Sequence, residues 1–145
     1  MPVTGARHAV KIFGCVEIYR GAFLYQRDAV FNGQTYVQFL EHRLARQFYR
    51  RGQQVIYIQD NASYHKDAQV WEWFASNRRW LEVHQLPPYS PEFNAAEPLW
   101  HHTRVHGTHN RCFLNEEEIM TSLECVFTDM QRRPQQIMGY LRPFQ

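Results

Sequence analysis

The sequence predicts an α/β fold, and three observations carry that expectation. An apolar run, Val55-Ile56-Tyr57-Ile58, leads into Asp60-Asn61; a second short run, Leu81 to Leu86, ends in two prolines; and the residues between them have helical periodicity. Short apolar runs closed by turn residues read as buried strands, and two strands joined through a helix form a right-handed parallel crossover. Ligands of open α/β sheets sit beyond the carboxyl ends of their strands, so Asp60 stands where chemistry is expected.

Before that unit, Ala9 to Tyr19 is rich in β-branched and aromatic residues. Arg20-Gly21 separates it from Ala22-Phe23-Leu24-Tyr25, which predicts a β-hairpin. Asn32 and Gly33 can cap a helix whose apolar stripe is Val37, Leu40, Leu44 and Phe48, ended by Gly52. Arg43, Arg46, Arg50 and Arg51 lie mainly off that stripe, as solvated charge or, alternatively, as phosphate contacts. After Asp60, a helix from Asp67 to about Arg78 buries Val70, Trp73 and Phe74, with Asp67 answering the helix dipole in its first turn. The strand Leu81 to Leu86 follows. Beyond Trp100 the chain is polar and histidine-rich to Phe113. Asn115 with Glu118 then predicts a capped last helix through Ile119, Leu123, Val126, Phe127 and Met130, stopped near Pro134.

Composition narrows the class. The 145 residues, 44% hydrophobic and 15% aromatic, suit one domain with a substantial core. A net charge of +2 neither demands nor excludes nucleic acid, because the distribution of charge matters more than its sum. Cys15, Cys112 and Cys125 form no paired spacing, so a reducing compartment is expected. No apolar stretch is long enough to span a bilayer and no secretion signal opens the chain, which predicts a soluble cytosolic protein.

Two carboxylates stand out. Asp60 lies at a strand end, and Glu97 lies just past the turn Leu86-Pro87-Pro88-Tyr89-Ser90-Pro91, in Glu97-Pro98-Leu99-Trp100, a segment that can start a helix. Carboxylates brought together in this way suit a divalent metal site. Each also has a plainer role: Asp60 as a turn residue beside Asn61, and Glu97 as the partner of Asn94 in a helix capping box. A rival metal site is a zinc set of His102, His106, His109 and Cys112, which needs a continuous helix that Gly107 and Asn110 weaken.

Asp60-Asn61-Ala62-Ser63-Tyr64-His65, the block Leu86 to Asn94 and Glu97-Pro98-Leu99-Trp100 together resemble the second and third acidic blocks of the DDE superfamily endonucleases. Within that superfamily, the chain is most similar to bacterial insertion-sequence transposases related to mariner elements. The resemblance implies an RNase H-like mixed sheet with flanking helices. It also implies metal-dependent DNA strand cleavage and strand transfer, with Mg²⁺ or Mn²⁺ held by Asp60 and Glu97. Asn61 and His65 would orient the Asp60 loop or contact a phosphate. Tyr89, Ser90 and Asn94 would shape the turn, and Arg104 and Arg111 would contact DNA or remain solvated.

One departure from the family matters. Its first catalytic aspartate stands on a central strand preceding the hairpin, whereas Met1 to His8 contains no acidic residue, and Asp28 and Glu17 fall at or within the hairpin strands. The expectation is an N-terminally truncated domain lacking that strand, one metal-bridging carboxylate and the helix-turn-helix. Such a chain is a frameshift half, a decayed element or the product of a start placed too far downstream. It is expected to be marginally stable with two open sheet edges, or to associate with a copy of itself or with an upstream reading-frame product. Two functions follow from the resemblance: the catalytic part of a transposase, nucleoid-associated when bound to DNA, or a catalytically inactive DNA-binding or self-associating remnant.

Overall fold

The computed structural model describes residues 9–109 and 111–145. The hairpin forms from β1 (Lys11–Glu17) and β2 (Ala22–Asp28), antiparallel in the register Lys11↔Asp28 to Glu17↔Ala22. The left-handed backbone of Gly21, φ 72°, closes the turn. Glu17 is committed to that turn, its carboxylate accepting from the amides of Tyr19 at 2.9 Å and Arg20 at 2.6 Å.

Asn32 caps α1 (Gly33–Phe39) through a reciprocal box with Thr35. The helix does not run on unbroken as its periodicity predicts. It widens into a π-helical turn at Leu40–Ala45 and resumes as the short α2 (Arg46–Phe48). A π turn adds a residue and so rotates the side chains that follow. Tyr36, Phe39, Leu40 and Leu44 are the buried set, while Val37 and Phe48 are only partly covered. Gly52, φ 79°, lies beyond the helix end, in a turn closed by Gln53 N–H to the Arg50 carbonyl, and does not cap the helix.

The predicted crossover is present. β3 (Val55–Gln59) and β4 (Leu81–Gln85) pair in parallel, Val55 opposite Leu81 and Gln59 opposite Gln85, joined through α3 (Ala68–Ser76). Asp67 caps α3 through the Gln69 amide, and Val70, Trp73 and Phe74 are buried as expected. The chain continues through α4 (Glu97–Thr103), a π-helical turn at Arg104–Thr108, and α5 (Glu116–Arg132) capped by Asn115. Pro134 does not only stop that helix. It sits in the first turn of a further one, α6 (Pro134–Leu141), where its fixed φ and missing N–H cost nothing.

Two cores flank the hairpin. Phe13 and Cys15 of β1 face a core built by α1, the first π turn, α3, Trp80 and Leu81. Ile12 and Val16, with Phe23 and Tyr25 of β2, face a second core of Leu99, Phe127, Met130, Ile137 and Leu141 from α4, α5 and α6. Alternation along a strand thus serves both sides. Between the sheets the backbone pairing stops: β1–β2 and β3–β4 are separate two-stranded sheets among the described residues. They still share the first core, which takes Phe13 and Cys15 from one sheet and Val55, Tyr57 and Leu81 from the other. Burial raises the pKa of Tyr57, with the Cys15 thiol adding to the shift, and burial pushes Cys15 up to about 12. On the face where the hairpin is covered by the C-terminal helices, β3 instead presents Ile56 and Ile58, 64% and 56% exposed.

Candidate active site at the carboxyl ends of the parallel strands

Asp60 is the first residue off β3, and local geometry holds it tightly. The chain turns at once, with the Ala62 amide donating to Asp60 Oδ1 at 3.1 Å. A 3₁₀ turn over Ser63–Lys66 then folds His65 back beneath the aspartate. His65 Nδ1 lies 2.8 Å from Asp60 Oδ1 and 2.9 Å from the Asp60 carbonyl oxygen. Its ring is buried between Tyr36 and Tyr64, centroids 4.3 and 4.5 Å away, so the imidazole is fixed by packing as well as by hydrogen bonds.

That arrangement sets the charge of the site. The His65 hydrogen bond holds the Asp60 carboxyl below its ordinary value; partial burial opposes the shift, while the His65 charge and the Ala62 amide add to it. Burial and the Asp60 charge together push Tyr64 up to about 12. The folded Asp60 pKa is depressed, so its stabilising contribution is complete above about 3.8 and disappears as pH falls through the lowered folded value. His65→Phe, which keeps a ring between the two tyrosines but removes the donor, is expected to return the Asp60 pKa toward the ordinary range. Carboxyl ¹³C NMR titration measures this directly; an unmoved Asp60 would show that His65 does not set its charge.

Asn61 links the strand ends, its Oδ1 accepting a hydrogen bond from Gln85 Nε2. Gln85 is a site neighbour that the sequence reading missed. Its signal is its position opposite Gln59 in the parallel register, which is visible only once the two strands are paired. Deeper in β3, the Tyr36 hydroxyl donates to Gln59 Oε1 at 2.8 Å and lies 2.7 Å from the Tyr57 hydroxyl, while Gln59 Nε2 is buried with no partner among the described residues.

Glu97 is the first residue of α4, with Pro98 behind it in the first turn. The capping box expected with Asn94 does not form. Asn94 Oδ1 accepts from the Ala96 amide at 3.0 Å, and it is the Asn94 carbonyl that takes the Glu97 amide at 3.1 Å. The Glu97 carboxylate has no hydrogen bond among the described residues, so its plainer role is removed. Asp60 does fill its plainer role as a turn residue, but through Oδ1 only.

Helix α4 is positioned by Trp100, which lies across β1 at Gly14. A Cβ at Gly14 would fall 2.5 Å from two atoms of the indole ring, so this approach requires glycine. Trp100 also meets Phe23 and Phe127 edge-on, at 5.8 and 6.3 Å. Of the other turn residues, Tyr89 is fully exposed with φ 57°, a strained left-handed backbone for an aromatic residue, and Ser90 Oγ donates to the Pro88 carbonyl at 3.2 Å.

The structure forms two side-chain pairs at the strand ends, Asp60 with His65 and Asn61 with Gln85, on residues adjacent in the chain. No hydrogen bond connects Asp60 with Glu97, and Glu97 is not among the groups that shift the Asp60 pKa. Among the described residues, no three His, Cys, Asp or Glu side chains are arranged around a metal position. The zinc alternative fails for a helical reason. His102 and His106 stack at 4.3 Å, with His102 bound to the Tyr140 hydroxyl, but the chain is extended at His109 and the four donors do not share a helical face. Arg104 is exposed, and Arg111 donates to Ser122 Oγ at 3.2 Å. The donor chemistry still fits a hard cation: among the described residues, Asp60 Oδ2 and both Glu97 oxygens are uncommitted carboxylate oxygens.

The hairpin, the β3–α3–β4 crossover and the C-terminal helices make a mixed α/β fold of the RNase H-like type. Residues 1–120 match the family described as DDE superfamily endonuclease, and the chain belongs to that family. It is 25% identical over 143 residues to the transposable element Tcb2 transposase of Caenorhabditis briggsae, covering 90% of this chain and 51% of that protein. The chain thus spans about half the length of that curated relative. Its fold is similar to the catalytic domain of the Mos1 mariner transposase, with a TM-score of 0.58 at 15% identity over 92% of this chain and 77% of that one. The same domain solved with raltegravir and Mn gives a TM-score of 0.60 at 16% identity, covering 92% and 78%. Among the described residues, no helix is long and apolar enough to cross a membrane.

Proposed function

We propose that this chain is part of the catalytic domain of a DNA transposase, acting on phosphodiester bonds at transposon ends with Mg²⁺ or Mn²⁺. The observation that carries the reading is the state of Asp60: an ionised carboxylate at a strand end, held through one oxygen by His65 and Ala62 with the other oxygen free among the described residues, in a chain of the DDE family. Asp60 Oδ2 and the Glu97 carboxylate would hold the cation, which when bound activates the attacking oxygen and neutralises charge at phosphorus. The chain's own residues do the positioning. His65 keeps Asp60 ionised and fixed, the Asn61–Gln85 bond ties the two strand ends, and Trp100 against Gly14 sets where α4 begins. DNA is the substrate partner in this reading, and a bacterial, nucleoid-associated setting belongs to the same proposal.

The third carboxylate comes, in this proposal, from an extended segment seated between β1 and β3. Both sheets lie on one core without backbone pairing between them, and β3 carries a buried donor, Gln59 Nε2, that has no acceptor among the described residues. An upstream reading-frame product would supply that segment; a second copy of the chain, which carries no such aspartate, would at most pair the open edges. A peptide carrying the family's aspartate-bearing first strand, added to the purified chain with Mn²⁺, is expected to raise the unfolding temperature and to enable cleavage of a labelled transposon-end duplex. Cleavage by the chain alone at the same rate would overturn the need for a donated strand. Stabilisation without cleavage would favour the inactive, DNA-binding or self-associating remnant.

A further inference from the structure

We propose that the recess at the amino ends of β3 and β4 is a second DNA-backbone site, separate from Asp60 and deepening the DNA-acting reading on which it rests. A cavity of about 930 Å³ opens between the turn that precedes β3 and the turn that precedes β4. Arg46, Arg50, Arg51 and Arg79 line it, with Tyr49 and Trp80, and no carboxylate does. None of these four guanidinium groups is ion-paired with an acid among the described residues. The whole chain carries 16 Lys and Arg against 14 Asp and Glu, so four uncompensated arginines around one recess are a local concentration of charge that the net +2 conceals.

The recess has a firm base. Trp80 is buried, its indole N–H donating to Asn77 Oδ1 at 2.9 Å, and Asn77 Nδ2 donates in turn to the Trp73 carbonyl. Tyr49, half-exposed, stands edge-on to Trp80 at 5.4 Å and 81°, and Arg50 is drawn back along the rim by a 2.7 Å bond to the Tyr49 carbonyl. Planar guanidinium forks match phosphate oxygens in pairs, and an exposed aromatic at the rim suits a sugar or base edge. A membrane surface fits less well, because the rim offers one exposed aromatic and no long aliphatic side chain to insert.

Asp60 stands six positions beyond Gln54, across the length of β3, or roughly 20 Å at the rise of an extended strand. The recess therefore lies at the other end of the sheet from the acidic group and holds DNA away from the scissile phosphate.

The test uses the full chain and a labelled mixed-sequence duplex in EDTA, so that binding is read without metal or cleavage. Fluorescence anisotropy across a salt series compares the wild type with Arg50→Ala/Arg51→Ala/Arg79→Ala and with Arg20→Ala/Arg132→Ala/Arg142→Ala, which removes the same charge elsewhere. All six arginines are exposed, and thermal unfolding of each variant confirms that it folds. The recess triple is expected to reduce the slope of log affinity against log salt by about 2–3, at roughly 0.9 per phosphate contact, and the other triple by less than about 1. Equal losses in the two triples, or none in the recess triple, would overturn the proposal. So would tighter binding to phosphatidylserine vesicles than to duplex, lost in the recess triple. Absence of duplex binding by the wild type also overturns it, while Mn²⁺-dependent cleavage by the strand-complemented chain would leave the catalytic reading standing.

Discussion

Asp60→Asn is expected to abolish measurable Mn²⁺ binding and, in the strand-complemented chain, to slow DNA cleavage by at least about 100-fold, the loss of several kcal/mol of charge stabilisation. The substitution is nearly isosteric. An asparagine Oδ1 can still accept from His65 Nδ1 and the Ala62 amide, so the turn that follows β3 should survive. What disappears is the negative charge on the free oxygen. Glu97→Gln should act in the same direction with even less structural consequence, because the Glu97 side chain makes no hydrogen bond among the described residues. Mn²⁺ electron paramagnetic resonance reads binding, and unfolding curves show whether stability is retained. A stable Asp60→Asn variant that binds Mn²⁺ as the wild type does would remove Asp60 from the metal site.

The second large effect is structural and lies outside the acidic group. Gly14→Ala places a methyl group 2.5 Å from the Trp100 ring, inside van der Waals contact, with the ring itself braced by Phe23 and Phe127. Overpacking of this kind costs about 1–3 kcal/mol. Because Trp100 lies one turn from Glu97, a displaced indole also moves the start of α4. The expected result is a lower unfolding temperature with weaker Mn²⁺ binding, although no ligand has been altered. Trp100→Phe in the Gly14→Ala background should recover part of the stability, since the smaller ring vacates the space that the methyl takes. A double-mutant cycle measures that coupling, and strict additivity would show that the contact does not decide the position of α4.

The open edges shape how these experiments are read. β1 and β3 lie over a common core without backbone pairing, and Ile56 and Ile58 face outward on β3. An edge with no backbone partner among the described residues, beside exposed isoleucines, is a template for association. A loss of activity in any variant therefore has to be separated from a change in self-association, by sedimentation at the concentration of the assay.

The amino-acid sequence by itself determined the hairpin, the β3–α3–β4 crossover, the caps at Asn32, Asp67 and Asn115, and Asp60 at a strand end. These follow from spacing and from bonds between residues close in the chain, which a linear reading can follow. Where local signals admitted two outcomes, only the tertiary structure decided. Asn94 and Glu97 have capping-box spacing, yet the helix starts after Ala96 and the glutamate is left unbound. The arginine-bearing helix has a regular stripe, yet packing Phe39, Leu40 and Leu44 into one core accompanies a π turn that periodicity does not encode. Gln85 and Asn61, and Gly14 and Trp100, meet only because strands and helices distant in the chain are stacked together. The recess brings Arg79 to Arg46, Arg50 and Arg51 in the same way, since contacts between separate elements depend on register and packing, which no single stretch of sequence contains.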